Sequence, residues 1–245
     1  MNCVLFSETD IQPDGSVLLR DEAARHIVRV LKKQPGDTLC AGRVDGPLGI
    51  ASILAVDPDG VRITQPVGEP PPLPPVDLIL AMPRPKVMKR LWAPLASVGV
   101  GSISIIGAER VERCYFDSHA LQPELIRTRL IKGLEQARDT RLPSVRVFKT
   151  FQQAAEQELP AIAPHAARFI AHPGPATAIT EACARLGGRN RAVVAVGPEG
   201  GWSSPEMATF ADHGFIPISL GPRALRTDVA VIGLLTLLRM GIGSP

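Results

Sequence analysis

The spacing of apolar positions divides the chain into two stretches of different texture. Up to residue 66 the apolar runs are short: Ser16–Leu19, Thr38–Ala41, Gly49–Leu54 and Val61–Thr64. Asp-Gly and Pro-Gly pairs punctuate them, as expected of strands joined by tight turns. One helix is predicted from Glu22 to Lys32 with Asp21 as N-cap, because Ala24, Ile27, Val28 and Leu31 recur at i, i+3, i+4 and i+7. A small barrel with one short helix fits this stretch. From residue 76 onward the pattern alternates. Strands are predicted at Val76–Ala81, Ile103–Ile106, Val145–Phe148, Arg168–Ala171, Ala192–Val196 and Ile216–Leu220. Helices are predicted at Lys86–Ser97, Pro123–Arg138, Phe151–Glu158, Ala176–Leu186, Pro205–His213 and Ala224–Met240. That alternation implies a mostly parallel sheet covered on both faces. Between the two stretches, Pro66–Pro75 holds six prolines. It can continue neither a helix nor a central strand, and favours an extended spacer. The expected organisation is a domain over 1–66, a linker over 67–75 and a domain over 76–245.

Composition narrows the classes. The 245 residues are 45% apolar and 21% charged, the balance of a globular chain. Aromatics are only 4%, which argues against a base-stacking platform for single strands. The longest apolar run, Val229–Leu238, is too short for a bilayer span of about 20 residues. The first residues lack the basic-then-apolar order of a signal peptide. Cys3, Cys40, Cys114 and Cys183 are far apart, with no zinc spacing, and are expected to be reduced thiols in a cytoplasmic protein. The net charge of +3 is uneven. Residues 76–150 carry 13 Lys+Arg against 7 Asp+Glu, whereas residues 1–75 carry 7 against 10. A clustered basic excess can contact phosphates; a solvated helix face accounts for it equally well.

The nucleotide P-loop, the zinc-protease HExxH and the hydrolase GxSxG are all missing, and Gly99-Val100-Gly101 lacks the third glycine of a dinucleotide fingerprint. Two segments remain. In the first, the strand Val193–Val196 runs into Gly197-Pro198-Glu199-Gly200-Gly201-Trp202, then into a helix opened by Ser203 and Glu206 as a capping box. Glycines at a strand's C-terminal end let backbone groups approach a flat ligand, and ligands of open α/β sheets bind there. A tight strand-to-helix turn is the plain alternative. In the second, Ile218-Ser219-Leu220 ends in Gly221-Pro222, and Arg223, Arg226 and Asp228 stand at the mouth of an apolar helix. Asp228 placed there also opposes the helix dipole, and Arg226 can simply pair with it.

Taken together, and in order, these segments resemble the RsmE-type 16S ribosomal RNA uridine N3-methyltransferases of the SPOUT superfamily. The resemblance extends through His26–Leu31 with Pro35-Gly36-Asp37, through Glu135-Gln136 with Arg141-Leu142-Pro143, and through Ala171-His172-Pro173. It implies an α/β domain with a deep trefoil knot, preceded by a PUA-like RNA-binding barrel. It implies S-adenosylmethionine held by three loops, formed by His172 and Pro173, by Gly197, Pro198, Glu199, Gly200 and Gly201, and by Leu220, Gly221, Arg223, Leu225 and Arg226. Side chains at Gly197 or Gly221 would then block the cofactor. No metal is implied. Uridine N3 must lose a proton to become a nucleophile, so Arg226 is expected to stabilise the uridine anion. Either Asp228 or Glu199 accepts the proton or orients Arg226. The base must be unpaired or flipped. The small-subunit RNA would be gripped by Arg25, Arg29, Lys32, Lys33, Lys86, Arg138 and Arg141. The apolar run Val229–Leu238 is either core or a homodimer interface, and the family favours the second. Three positions depart from the family pattern: Asp228 stands where glutamate is usual, Asp139 where arginine is usual, and Leu95–Val100 differs from the usual segment. A related enzyme acting on tRNA or another base, and a silent RNA-binding assembly factor, are the competing readings.

Overall fold

The structure, a computed structural model, describes residues 2–173, 176–184, 186 and 189–242. The chain forms two compact units, one of residues 1–73 with 130–142, the other of residues 74–129 with 143–245.

The first unit is built on a five-stranded sheet. Its strands are β1 (Val4–Phe6), β2 (Val17–Leu19), β3 (Thr38–Arg43), β4 (Leu48–Asp57) and β5 (Gly60–Ile63), in the order β1-β3-β4-β5-β2. Only β1 and β3 pair in parallel. Alternate residues point to one face, as the twofold period of a strand requires. Val4, Phe6, Val17, Leu19, Leu39, Ala41, Ile53, Val61 and Ile63 form the core there, while Ile50 and Leu54 face outward. Gly60 closes the hairpin from β4 to β5 at φ +145°, where a side chain would collide with the Leu19 carbonyl.

The predicted helix is present, but only its first half is regular. Helix α1 (Asp21–Arg25) widens into a π turn over His26–Val30, closed by Leu31 N–H donating to His26 O at 3.0 Å. The wider winding carries later residues off the predicted stripe. Ile27 is buried, but Val28 and Leu31 are each 39% exposed, which corrects the apolar face expected from the spacing.

Residues 130–142 complete the first unit. Glu135 Oε1 accepts from Leu5 N–H at 3.3 Å, Asn2 Nδ2 donates to Gln136 O at 2.9 Å, and Thr140 Oγ1 donates to Gly46 O at 2.7 Å. Burial pushes the Glu135 carboxyl above its ordinary range.

The second unit is a seven-stranded sheet, parallel at every pairing, flanked by helices. Its strands are β6 (Val76–Ala81), β7 (Ser102–Ile106), β8 (Ser144–Phe148), β9 (Ala167–Ala171), β10 (Thr177–Ala178), β11 (Ala192–Val196) and β12 (Ile216–Ser219). The helices are α2 (Pro85–Val98), the first half of α3 (Pro123–Ala137), α4 (Phe151–Gln157), α5 (Ile179–Ala184), α6 (Ser204–Asp212) and α7 (Thr227–Ile242). The predicted helix Ala176–Leu186 is thus replaced at its start by the edge strand β10, and its Arg185 lies outside the described residues. Along the sheet the order is β10-β12-β9-β11-β6-β7-β8. Strand β11 enters between β9 and β6, and β12 pairs outside β9, so the C-terminal ends of β11, β9 and β12 lie side by side. On one face Trp202, Phe210, Phe215, Ile162 and Leu159 pack on the sheet. Helix α7 packs against β11, β6 and α2. Its stripe Val231, Leu234, Leu235 and Leu238 is buried, whereas Val229, Leu237 and Met240 are exposed. Among the described residues no helix is long and apolar enough to cross a membrane.

Candidate functional site

Three loops leave the adjacent C-terminal ends of β9, β11 and β12, and together they wall a cavity of about 620 Å³. Its size falls within the ~300–1,000 Å³ usual for small-molecule sites. Ala171, His172 and Pro173 contribute from β9, Val196 to Trp202 from β11, and Ile218 to Gly221 from β12. Arg223, Leu225, Arg226 and Thr227 follow, and Ala230 and Leu234 of α7 form part of the wall. Every residue expected to hold the cofactor lines this one cavity. Asp228 stands just outside the lining.

The glycine-rich loop is a turn with named fastenings. Gly201 N–H donates to Pro198 O at 2.8 Å, and Gly201 adopts φ +75°. The two corner residues are therefore Glu199 and Gly200. Gly197 lacks a side chain for a different reason: a Cβ there would meet Trp202 Nε1 at 3.0 Å and Cε2 at 3.1 Å. Trp202 cannot retreat easily, since its ring packs edge-on against the buried Phe210 at 5.0 Å. At Gly221 a Cβ would meet nothing within 4 Å; that glycine is required by its φ of +105°. Beyond the turn, Glu206 makes its half of the capping box, its Oε2 accepting from Ser203 N–H at 2.8 Å. Glu206 is buried, and its Oε1 accepts from Glu109 N–H at 2.8 Å.

The charged groups sit at the cavity's rim. Arg226 immediately precedes α7 and is exposed; its Nη2 lies 3.0 Å from Asp228 Oδ2. Arg90 of α2 reaches the same oxygen at 3.4 Å. Asp228 is therefore shared between two guanidinium groups. Glu199 is exposed and, among the described residues, has no hydrogen bond or ion pair. The expected cofactor set leaves out several lining residues, among them Arg110 and Trp202. Arg110 follows β7 and donates from Nη1 to Gly200 O. Its position four residues beyond a parallel strand was the available signal. Trp202 was visible only as a loop residue, yet its Nε1 is buried with no partner among the described residues.

None of the residues expected to contact RNA lines this cavity. Arg25, Arg29 and Lys32 are exposed on and just after α1, with Lys33 half-buried, and Lys86 is exposed on α2. Arg138 is exposed, at φ +56°. Arg141 is engaged in the first unit, its Nε donating to Pro71 O.

Comparison with known proteins gives one consistent picture. The model of the RNA methyltransferase domain family matches residues 69–239. The ribosomal RNA small subunit methyltransferase E of Treponema pallidum is 33% identical over 233 residues, covering 94% of this chain and 87% of that protein. The protein of the same name numbered 1 in Borreliella burgdorferi is 26% identical, covering 95% and 94%. Among solved structures, the ribosomal RNA small subunit methyltransferase E of Neisseria gonorrhoeae bound to S-adenosyl methionine superposes with a TM-score of 0.76 at 20% identity. It covers 98% of this chain and 97% of that one, so the α/β fold is shared. A match spanning the whole second unit's sheet and a relative of this identity over nearly the full length decide the matter: the chain belongs to the RNA methyltransferase family of the ribosomal RNA small subunit methyltransferase E proteins.

Proposed function

We propose that this protein transfers a methyl group from S-adenosylmethionine to N3 of a uridine in 16S ribosomal RNA of the small subunit. One observation carries the reading: three loops from adjacent parallel strands enclose a cavity that is largely backbone and apolar, with cationic side chains confined to its rim. The donor set suits a nucleoside-bearing sulfonium, since exposed loop amides and carbonyls serve an adenine edge and apolar walls receive its ring. When bound, the cofactor supplies a methyl carbon attached to a positive sulfur, which leaves as a neutral thioether.

The chain's own residues account for the rest. Arg226 stands at the cavity mouth and offers its guanidinium to O2 or O4 of the uridine, where charge develops as N3 gives up its proton. Asp228 Oδ2 is committed to Arg226 and Arg90, so it serves as the group that orients Arg226. Glu199 has no such partner and takes the N3 proton. The loops at His172-Pro173, Gly197–Gly201 and Leu220–Arg226 bind the cofactor. The chain between β9 and β12 is read as the trefoil knot of the SPOUT enzymes, supported by the insertion of β11 between β9 and β6. The first unit is read as a PUA-like RNA-binding module whose α1 presents Arg25, Arg29, Lys32 and Lys33, with Lys86 and Arg138 adding phosphate contacts. The exposed face of α7 at Val229, Leu237 and Met240 supports a homodimer in which a second copy covers it, and the ribosomal substrate supports a cytoplasmic location.

The test is direct. Purified protein is incubated with methyl-labelled S-adenosylmethionine and either small-subunit particles or tRNA, and the RNA is digested to nucleosides. Label in 3-methyluridine from small-subunit RNA is the expected result. Label in tRNA, in another nucleoside, or in none refutes the assignment.

A further inference from the structure

The proposed catalytic loop does not stand alone. Facing the turn Pro198–Gly201 is a second turn, Ala108–Val111, closed by Val111 N–H donating to Ala108 O at 3.0 Å. Its corner residues are Glu109 and Arg110, and both reach across. Glu109 N–H is taken by the buried Glu206 carboxylate, whose other oxygen holds Ser203 N–H. Arg110 donates to Gly200 O, and its aliphatic stem lies over Gly200, where a Cβ would come within 3.0 Å of Arg110 Cδ. The peptide joining Gly200 to Gly201 is thereby fixed at both ends: its N–H by Pro198 O and its C=O by Arg110. Glu199 is the residue just before that peptide. This also accounts for two consecutive glycines: the first leaves room for the Arg110 stem, the second takes the left-handed φ.

We infer that Arg110 is a positioning residue for the methyl transfer, setting the Pro198–Gly201 turn so that its backbone meets the cofactor and Glu199 faces the uridine. The inference rests on the function proposed above. A guanidinium is required because its fork is planar and fixed, and an ammonium on a flexible stem would not hold one carbonyl while resting on the loop.

The experiment compares the wild type with Arg110→Ala and Arg110→Lys by calorimetry with S-adenosylmethionine, by steady-state kinetics across a salt series, and by thermal unfolding. Arg110→Ala should bind the cofactor about tenfold more weakly, about 1.4 kcal/mol, and lose kcat as well. Millimolar guanidinium chloride should restore part of both in that variant and leave the wild type unchanged. The dependence of the RNA KM on salt should keep its wild-type slope. Should Arg110→Ala fail to fold, Arg110→Lys decides, with a smaller loss in the same direction. Wild-type cofactor affinity in the variants overturns the inference, as does absence of guanidinium rescue in a folded Arg110→Ala. A salt slope reduced by about one with cofactor affinity kept also overturns it and assigns Arg110 to a phosphate. A wild type that does not bind the cofactor refutes the proposed function instead, so the two failures are told apart.

Discussion

Replacing Gly197 by alanine tests how the cavity is shaped. The new Cβ would lie 3.0 Å from Trp202 Nε1, 3.1 Å from Cε2 and 3.2 Å from Cδ1. Three ring atoms must therefore give way by a few tenths of an ångström together. The ring is 6% exposed and backed by Phe210, which is fully buried and itself in contact with Phe215 at 4.9 Å. The displacement thus propagates into a packed aromatic cluster, and overpacking of that kind costs about 1–3 kcal/mol. For a chain of this size the expected drop in melting temperature is roughly 2–4 °C per kcal/mol. Because Trp202 also lines the cavity, affinity for S-adenosylmethionine should fall in parallel. The decisive assay is a double-mutant cycle with Trp202→Phe. The smaller ring vacates the space that the alanine methyl needs, so the double variant should be more stable than the sum of the single losses by about 1 kcal/mol. Strict additivity, or a Gly197→Ala protein with unchanged melting temperature and affinity, would refute the account of this glycine.

Three further outcomes are expected. Arg226→Ala should keep cofactor affinity within about twofold and lose turnover by about 10²–10³, the usual cost of removing one charge-stabilising donor; equal loss of cofactor affinity, read by calorimetry, would contradict its place at the rim. Glu135 is raised by burial, so the folded state holds its proton more tightly than the unfolded chain and its contribution to stability declines as pH rises through the folded value. Glu135→Gln, which keeps an acceptor for Leu5 N–H, should flatten that decline in melts taken between acid and neutral pH; an unchanged pH profile counts against it. Finally, Arg29→Glu with Lys32→Glu should weaken RNA binding and lower the slope of log affinity against log salt without changing S-adenosylmethionine affinity. A normal slope would remove α1 from the RNA surface.

Most of the second unit was legible because its strands, β10 apart, are short apolar runs bounded by turn residues and its longer helices carry a stripe. The predicted β6 and β11 match residue for residue, and most other boundaries shift by one or two positions. What sequence could not supply was pairing. Nothing local says that β11 enters between β9 and β6, yet that order is what gathers the three loops. Strand β1 was missed since Val4–Phe6 is too short to display a period. The π turn was missed because a single-residue change in winding leaves composition untouched, and its effect is visible only in the exposure of Val28 and Leu31. The role of residues 130–142 in the first unit was equally hidden, since their contacts with Asn2, Leu5 and Gly46 span about a hundred positions of sequence. Within the site, the loops were found through their glycines, whereas Arg110 and Trp202 act on those loops from the side and carry no motif of their own.

The division of labour inside the cavity bears on the chain's departures from its family. Its inner part is held by constraints that are steep: a glycine against a buried indole, a turn fastened at both ends, a carboxylate with both oxygens used. Each such constraint costs a kilocalorie or more when broken. The rim is different. The half-buried Asp228 meets the exposed Arg226 at 3.0 Å and the exposed Arg90 at 3.4 Å, and pairs of this kind near the surface contribute about 0–1 kcal/mol. A carboxylate one methylene shorter than the usual glutamate still reaches both guanidinium groups, so the substitution at this position leaves the rim's charge pattern intact at little energetic cost. Asp139 is similarly accommodated, its Oδ1 accepting from Arg141 N–H at 2.9 Å. Asp228 and Asp139 therefore fall where the energy surface is shallow, whereas Leu95–Val100 departs within the packed core, where Leu95, Ala96 and Val100 are buried.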